Sequence, residues 1–233
     1  MPNDQSTSLA RIKRFARNHL TNRRGKLAFV DSCPRGARVL DVGCGNNSPR
    51  LYKTLRSDIY YVGLDIGDYN QASDPAQYAD EYLLASPEQF ASKIFAMPAA
   101  FDAIISSHNI EHCNDPDNVL AAMLRAAKLG GRIFLAFPCE ESKGFPSRRG
   151  TLNFYDDPTH LKLPAYDNAL QRIAQGGFRI DVAIRRYRPL FHLVKGAFSE
   201  PLNSVRKQVS YGTWALYGFE TIIWATRTRA SDM

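Results

Sequence analysis

The sequence has few cysteines and lacks any long apolar run. Its four cysteines, Cys33, Cys44, Cys113 and Cys139, are scattered along 233 residues and form no C-x-x-C pair. This pattern argues against a disulfide framework or a zinc knuckle and is typical of reduced thiols. No apolar stretch approaches the roughly 20 residues of a membrane-spanning helix, and the first residues lack the apolar core of a secretory leader. We therefore expect a cytoplasmic protein without a transmembrane segment.

The net charge of +7 is concentrated at the N-terminus. Residues 1–38 hold nine basic side chains against Asp4 and Asp31, which accounts for the whole excess. Helical spacing of apolar residues predicts that residues 1–35 form a basic helical segment, with a second short helix over residues 26–31. Such a segment can bind nucleic acid, an anionic membrane surface or a phosphorylated metabolite. Its charges are equally well explained as the solvated face of a helix.

A glycine turn follows the first apolar run. Val39 to Val42 has the length of a strand buried on both faces, and Gly43 and Gly45 follow it. Glycine permits positive φ and brings bare peptide close to a ligand. Asp41 lies at the carboxyl end of this predicted strand, where open α/β sheets bind ligands, and its charge suits a cation better than a phosphate. The third glycine of the dinucleotide fingerprint G-x-G-x-x-G is missing, which argues against that class of site.

A second predicted strand ends in an acidic residue. Residues 59–65 are mostly apolar and end at Asp65, about twenty residues beyond the glycine turn, the interval expected for an acid that binds ribose hydroxyls. A carboxylate can accept two hydrogen bonds from a vicinal diol. The alternative is that Asp65 only caps a turn. Further strands are predicted at 81–84, 101–107 and 132–137, with helices between them.

Three linked motifs resemble the class I S-adenosylmethionine-dependent methyltransferases, and within them the type 11 branch. They are Asp41-x-Gly43-x-Gly45, Asp65 after the second strand, and His108-x-x-Glu111-His112 ahead of Asp115-Pro116. The resemblance implies an α/β fold, a Rossmann-like three-layer sandwich whose seven-stranded, mostly parallel sheet has the order 3-2-1-4-5-7-6. It places this domain at residues 36–233, with insertions near 142–160 and 185–210.

The resemblance also implies S-adenosyl-L-methionine as the cofactor. The residues expected to bind it are Asp41, Gly43, Cys44, Gly45, Asp65, Ile66, Ser86, His108 and Asn109. Glu111 and His112 are expected to face the substrate or to stabilise the loop. The H-x-x-E-H pattern also occurs in zinc proteases, but there both histidines lie on one helix. Here Asp115-Pro116 is predicted to cap a new helix directly after the motif, so we expect no metal site.

The segment from Asn153 to His160 is the candidate acceptor side. His160 could take a proton from an acceptor hydroxyl, because histidine is a residue type suited to general-base catalysis near neutral pH. Asp156 or Asp157 could orient it, and His108 is a further catalytic candidate. The alternative is that this segment is only a turn, because the residue types in Asp-Asp-Pro-Thr strongly favour turns. Arg148 and Arg149 are predicted to bind phosphates of the substrate, with a solvated loop as the other interpretation.

The predicted function is O-methylation of a sugar, a nucleotide sugar or a related small metabolite, so the expected partner is a small-molecule or glycan acceptor. The segment 153–160 resembles enzymes of bacterial surface-polysaccharide pathways. One alternative is an RNA methyltransferase, favoured by the basic N-terminal segment. The N/D-P-P-Y/F tetrad of base methylation is replaced by Ser107-His108-Asn109-Ile110. The other alternative is a non-catalytic S-adenosylmethionine-binding partner protein. The sequence predicts no oligomeric state.

Overall fold

The computed structural model describes residues 22–45, 47–67 and 73–229. Seven strands form one sheet in the order β3-β2-β1-β4-β5-β7-β6. β1 to β5 pair in parallel, and β7 runs antiparallel between β5 and β6. The strands are β1 (Arg38–Val42), β2 (Tyr60–Asp65), β3 (Glu81–Leu84), β4 (Phe101–Ser107), β5 (Ala127–Pro138), β6 (Phe178–Ile184) and β7 (Glu220–Arg227). The predicted fold class and strand order are confirmed.

Helices occupy most of the connections between strands. They are α1 (Lys26–Asp31), α2 (Ser48–Leu55), α3 (Phe90–Phe95), α4 (Pro116–Ala126), α5 (Tyr166–Gln175), α6 (Leu190–Arg206) and α7 (Thr213–Tyr217). The predicted cap of α4 is present, because the Asp115 side chain accepts a hydrogen bond from the Asn118 N–H. Within the described ranges, no helix has the length and apolar character needed to cross a bilayer. The helix predicted within residues 1–21 lies outside those ranges.

Two apolar clusters, one on each face of the sheet, make the three layers. Alternate strand residues point to opposite faces, so Leu40 packs against the α3, α4 and α5 side. Its neighbour Val39 faces the other cluster, which contains Phe29 of α1 and Tyr52 of α2. Phe29 is fully buried, so α1 belongs to the same core. We propose that the domain begins ahead of Lys26 rather than at residue 36.

The register of β1 and β2 places two acidic side chains on one face of the sheet. Asp41 pairs with Gly63 of β2, and paired residues of neighbouring strands point to the same side. Asp65 lies two residues beyond Gly63 and therefore shares this side. Both carboxylates are nearly inaccessible to solvent. The carboxyl ends of β1 and β2 thus carry buried negative charge directly below the glycine turn.

Asp41 is held in this environment by Tyr61. The Tyr61 hydroxyl donates a hydrogen bond to Asp41 Oδ2 at 2.6 Å. Burial raises the pKa of Asp41 to about 6, although the Tyr61 hydrogen bond lowers it. A buried acid with a raised pKa destabilises the folded state once it ionises.

The segment 142–160 is organised around a second carboxylate. Asp156 accepts hydrogen bonds from the Ser147 hydroxyl and from the backbone N–H groups of Arg148, Leu152 and Asn153. The Asn153 side chain in turn accepts from the Tyr155 N–H, which completes a capping box. Asp156 therefore fixes the conformation of the loop and does not orient His160.

We expect Asp41→Asn to raise the free energy of unfolding at pH 8 by on the order of 2 kcal/mol. Asparagine still accepts from Tyr61 but carries no charge to desolvate. The folded carboxyl binds its proton more tightly than the unfolded one, so wild-type stability falls as the pH rises from about 4 through about 6. Urea denaturation across this range checks the effect. An advantage of the variant that is the same at pH 4.5 and pH 8 would contradict it.

We expect Asp156→Ala to lower the free energy of unfolding by about 2–4 kcal/mol, because several hydrogen bonds to one charged group are lost together. Chemical denaturation measures this change. Asp167→Ala is the matched control, since that carboxylate is 81% exposed in its ion pair with Arg185 and should contribute less than about 1 kcal/mol. If the two substitutions lowered the free energy of unfolding equally, the hydrogen bonds of Asp156 would not be what stabilises this loop.

Candidate active site

A cavity of about 720 Å³ opens at the carboxyl ends of β1, β2 and β4. Its size is that of a small-molecule site. Residues that directly follow these three strands form one side of its wall, namely Gly43, Gly45, Asp65, Ile66, His108 and Asn109. Since all six were predicted cofactor residues, the structure brings most of that set together.

The glycine turn has little room for side chains at its first position. Gly43 has φ +73°, and a Cβ there would lie 2.1 Å from Oδ1 of Asn109. Gly45 has φ +57°, and a Cβ there would meet nothing within 4 Å. The first glycine is therefore required by the close approach of the loop after β4. The second leaves bare peptide facing open space, as a bound nucleoside requires.

Asp65 connects the glycine turn to β2. Its Oδ2 accepts a hydrogen bond from the Gly45 N–H at 2.6 Å, and its Oδ1 accepts from the Ile66 N–H at 2.8 Å. A carboxylate offers about four lone-pair sites and suits the vicinal hydroxyls of a ribose. The residues present therefore fit the adenosyl cofactor that the sequence resemblance implies, with the bare peptide of Gly45 beside an acid.

Three predicted cofactor residues do not contribute to the cavity wall. Asp41 and Cys44 are buried behind the glycine turn. Ser86 is exposed, and the wall is formed by Pro87 and Glu88, the residues that follow it. The assignment of these three residues to direct contact is therefore corrected. The error arises because neighbouring residues at a strand end point in different directions.

His108 lies on the wall but is not a base. Its Nδ1 donates to Glu111 at 3.2 Å and its Nε2 donates to Glu220 at 2.9 Å. Burial lowers the pKa of His108, but the two carboxylates outweigh burial and raise the pKa to about 9. The ring is therefore doubly protonated at neutral pH and has no lone pair to accept a proton. The predicted catalytic role of His108 is wrong, and its role is to position the loop after β4.

A cluster of Glu111, His112 and His160 lies at the acceptor side of the cavity. The Leu161 and Lys162 N–H groups both donate to the Glu111 carbonyl, so the end of segment 142–160 is attached to the loop after β4. His112 is part of the cavity wall, and its ring centroid is 4.7 Å from that of His160. We refer to these three residues as the histidine cluster.

Neither His160 nor Glu111 is part of the wall, although both were predicted to meet the substrate or its proton. The His160 side chain is 5% exposed and stacks on Phe154 at 4.6 Å. Its Nε2 lies 4.0 Å from the carboxylate of Asp157, which does line the cavity. Glu111 is fully buried. Both residues support the wall from behind, so His160 is not a base in direct contact with an acceptor.

The two arginines predicted to bind phosphate lie elsewhere. Arg148 is buried and makes a bidentate ion pair with Glu200 of α6, at 2.9 and 2.6 Å. It also stacks on Tyr217 of α7. Arg149 is exposed, and its backbone pairs with the chain beyond α6. These contacts join the segments 142–160 and 185–210. The predicted phosphate-binding role is corrected for Arg148, whose guanidinium is paired with Glu200. For Arg149, which does not line the cavity, that role stays a prediction.

Sequence inspection missed wall residues on α3 and at the start of α4. They are Phe90, Ala91, Cys113, Asn114, Asp115 and Asn118. Asp115 was recognised as a helix cap, which is the one local signal for this part of the wall. Of the described residues, none that lines the cavity is lysine or arginine, whereas Asp65, Glu88, Asp115 and Asp157 are acidic. The cavity therefore favours neutral or cationic ligands.

Comparison with known proteins agrees with this geometry. Residues 12–181 match a family described as "Methyltransferase domain". A ubiquinone biosynthesis O-methyltransferase of Pseudomonas putida is 30% identical over 103 residues, which is 43% of this chain and 44% of that protein. The 27-O-demethylrifamycin SV methyltransferase of Amycolatopsis mediterranei is 28% identical over 133 residues, 52% of this chain and 44% of that protein. The chain thus spans less than half the length of these curated relatives.

Solved structures show the same fold. An S-adenosylmethionine-dependent methyltransferase from Archaeoglobus fulgidus superposes with a TM-score of 0.54 at 18% identity, covering 94% of each chain. The family match spans most of the sequence and includes every strand from β1 to β5. S-adenosyl-L-methionine is the cofactor of this family. The chain belongs to the class I S-adenosylmethionine-dependent methyltransferases.

Proposed function

We propose that the protein transfers the methyl group of S-adenosylmethionine to a hydroxyl group of a small, uncharged, sugar-like acceptor. The observation that carries this proposal is the placement of two chemically different sides in one cavity. Gly43, Gly45 and Asp65 line one part of the cavity, and His112 and Asp157 line another, with Glu111 and His160 behind His112. We assign the first part to the cofactor and the second to the acceptor.

Methyl transfer from a sulfonium is an in-line displacement in which positive charge disperses. Catalysis therefore consists mainly of holding the acceptor oxygen in line with the methyl carbon. A hydroxyl acceptor must also lose its proton. We assign that task to the histidine cluster as a unit, in place of the single base expected from the sequence. The acids on the cavity wall suit the positively charged cofactor.

The charge of the wall narrows the choice of acceptor. The wall has acids but, among the described residues, no lysine or arginine. The charge of His108 is already paired with the carboxylates of Glu111 and Glu220, so the described wall offers a phosphate group no unpaired cationic side chain. A neutral hydroxylated compound is therefore favoured over a nucleotide sugar or RNA. Four of the nine basic side chains in residues 1–38 that favoured RNA lie within residues 1–21, outside the described ranges. The two curated relatives described above are both named for O-methylation, which agrees with a hydroxyl acceptor.

We also propose that the segments 142–160 and 185–210 are insertions that form the acceptor side of the domain. The ion pair between Arg148 and Glu200 ties the two segments together. Asp157 and Thr159 then extend from the first segment to the cavity. Residues 153–160, which resemble part of the enzymes of bacterial surface-polysaccharide pathways, belong to the first of these segments. This resemblance supports a sugar as the acceptor.

Cofactor binding gives the first test. We expect purified protein to bind S-adenosylmethionine and S-adenosylhomocysteine in isothermal titration calorimetry. Asp65→Ala should weaken binding at least about tenfold, since a charge-assisted hydrogen bond contributes about 1.5–3 kcal/mol. Asp181→Ala, which removes a carboxylate from β6 near the far edge of the sheet, is the matched control and should bind as the wild type does. Absence of binding by the wild type would refute the proposed function.

Methyl transfer gives the second test. A screen of labelled-methyl transfer onto free sugars, glycans, nucleotide sugars and RNA should show turnover with a neutral hydroxylated acceptor. We expect His112→Ala and His160→Gln to lower kcat by about 10²–10⁴-fold and to leave cofactor affinity within about twofold.

His192→Ala is the control for that screen, because His192 of α6 is hydrogen-bonded to Tyr211 and is neither a cavity-lining residue nor a member of the histidine cluster. Turnover only on RNA would favour the alternative enzyme. Cofactor binding without turnover on any acceptor would favour the non-catalytic protein.

A further inference from the structure

We propose that the histidine cluster binds a divalent first-row transition-metal ion. Glu111, His112 and His160 each offer one ligand atom, and these atoms all lie within 4.8 Å of one another. Two imidazoles and one carboxylate are a common donor set for such ions. The cluster lies at the edge of the cavity, with His112 on its wall and the other two residues behind it.

Both imidazoles are held in the tautomer that a metal ligand requires. His160 Nδ1 lies 2.6 Å from the Phe154 carbonyl, which can only accept, so Nδ1 carries the hydrogen. His112 Nδ1 lies 3.2 Å from the Thr159 carbonyl and 2.9 Å from the Thr159 hydroxyl. That hydroxyl donates to Asp157, so it also accepts from His112. In the neutral form of each ring the lone pair is therefore on Nε2, and metal-binding histidines are typically anchored through the other nitrogen in this way.

Glu111 supplies an independent observation. Its side chain is fully buried, and its Oε2 has no hydrogen-bond partner among the described residues. Its Oε1 is taken by His108. A buried carboxylate oxygen without a partner is unfavourable, and a cation in the cluster would remove that cost. The neighbouring backbone already holds the three residues together, because the Leu161 N–H donates to the Glu111 carbonyl at 2.9 Å.

The spacing of the ligand atoms agrees with a site that closes on its ion. Bonds of about 2.0–2.2 Å place neighbouring ligand atoms roughly 3–3.6 Å apart. The present spacing of up to 4.8 Å requires the side chains to approach by about 1 Å, within the reach of small side-chain rotations. Three protein ligands leave a coordination position open. Since His112 is on the cavity wall, that position faces the cavity.

The role of the ion rests on the proposed function. The histidine cluster would then promote loss of the acceptor proton through the ion it holds: an acceptor hydroxyl bound at the open position would have a lowered pKa and would release its proton to solvent. The oxygen then forms a bond to the methyl carbon while the carbon–sulfur bond breaks, and the sulfur keeps the electron pair as a neutral thioether. His160 thus acts as a ligand and not as the base that the sequence suggested. The H-x-x-E-H pattern did not lead to this site, because no single helix carries both of its histidines and because His160 belongs to a different segment from Glu111 and His112.

Metal binding is tested on the full-length protein without any acceptor. We expect chelator-treated protein to bind one equivalent of Co²⁺, with visible ligand-field absorption, and one equivalent of Zn²⁺ by calorimetry. His112→Ala, His160→Gln and Glu111→Gln should each weaken binding at least tenfold. His192→Ala, on the surface of α6, should bind as the wild type does.

Circular dichroism and S-adenosylhomocysteine binding show whether each variant is folded. His112→Ala is the decisive variant, because this side chain is only partly buried and its loss leaves the core intact. No binding of Co²⁺ or Zn²⁺ by the wild type at 1 mM metal would overturn the proposal, as would unchanged affinity in folded His112→Ala. Failure of cofactor binding with normal metal binding would instead refute the proposed function and leave the metal site standing.

Discussion

The contact between Gly43 and the Asn109 side chain is the constraint on which the site depends. A Cβ at position 43 would lie 2.1 Å from the Asn109 amide, so only glycine lets the loops after β1 and β4 approach this closely. β1 and β4 are neighbours in the sheet, and their parallel pairing brings both carboxyl ends to one edge. The cavity opens where these two loops meet the end of β2, as expected at the switch point of an open α/β sheet.

Buried negative charge is the second feature of the site. Asp41, Asp65 and Glu111 are each less than 4% exposed, and buried carboxylates are unfavourable unless hydrogen-bonded or paired with a cation. Hydrogen bonds offset part of this burial cost. Asp41 accepts one from Tyr61, Asp65 accepts from backbone N–H groups, and one oxygen of Glu111 accepts from His108. These buried carboxylates therefore lower the stability of the fold at the edge of the sheet that is the candidate site for a positively charged sulfonium. Such a trade is common at functional sites, where stability and activity compete.

The acceptor side is built from parts of the chain that are distant in sequence. Glu220 of β7 pairs with His108 of the loop after β4, and the ring of His160 packs against that of His112 at an angle of 57°. Arg148 holds α6 through Glu200, so the basic residues near position 148 stabilise the scaffold and do not face the ligand. These contacts explain why the wall is acidic although the whole chain carries a charge of +7.

The sequence by itself determined the strands, most helix positions and the cofactor side of the cavity. Short apolar runs, the Asp115 cap and the Gly43–Gly45 turn are local signals, because strand burial, capping and positive φ depend on adjacent residues. Only the tertiary structure decided which polar side chains meet. Sequence spacing could not show that His108 is enclosed by two carboxylates, that Arg148 is buried, or that His160 joins Glu111 and His112. Those contacts depend on strand pairing and loop packing between distant segments, and the same packing sets the charge and tautomer of each group.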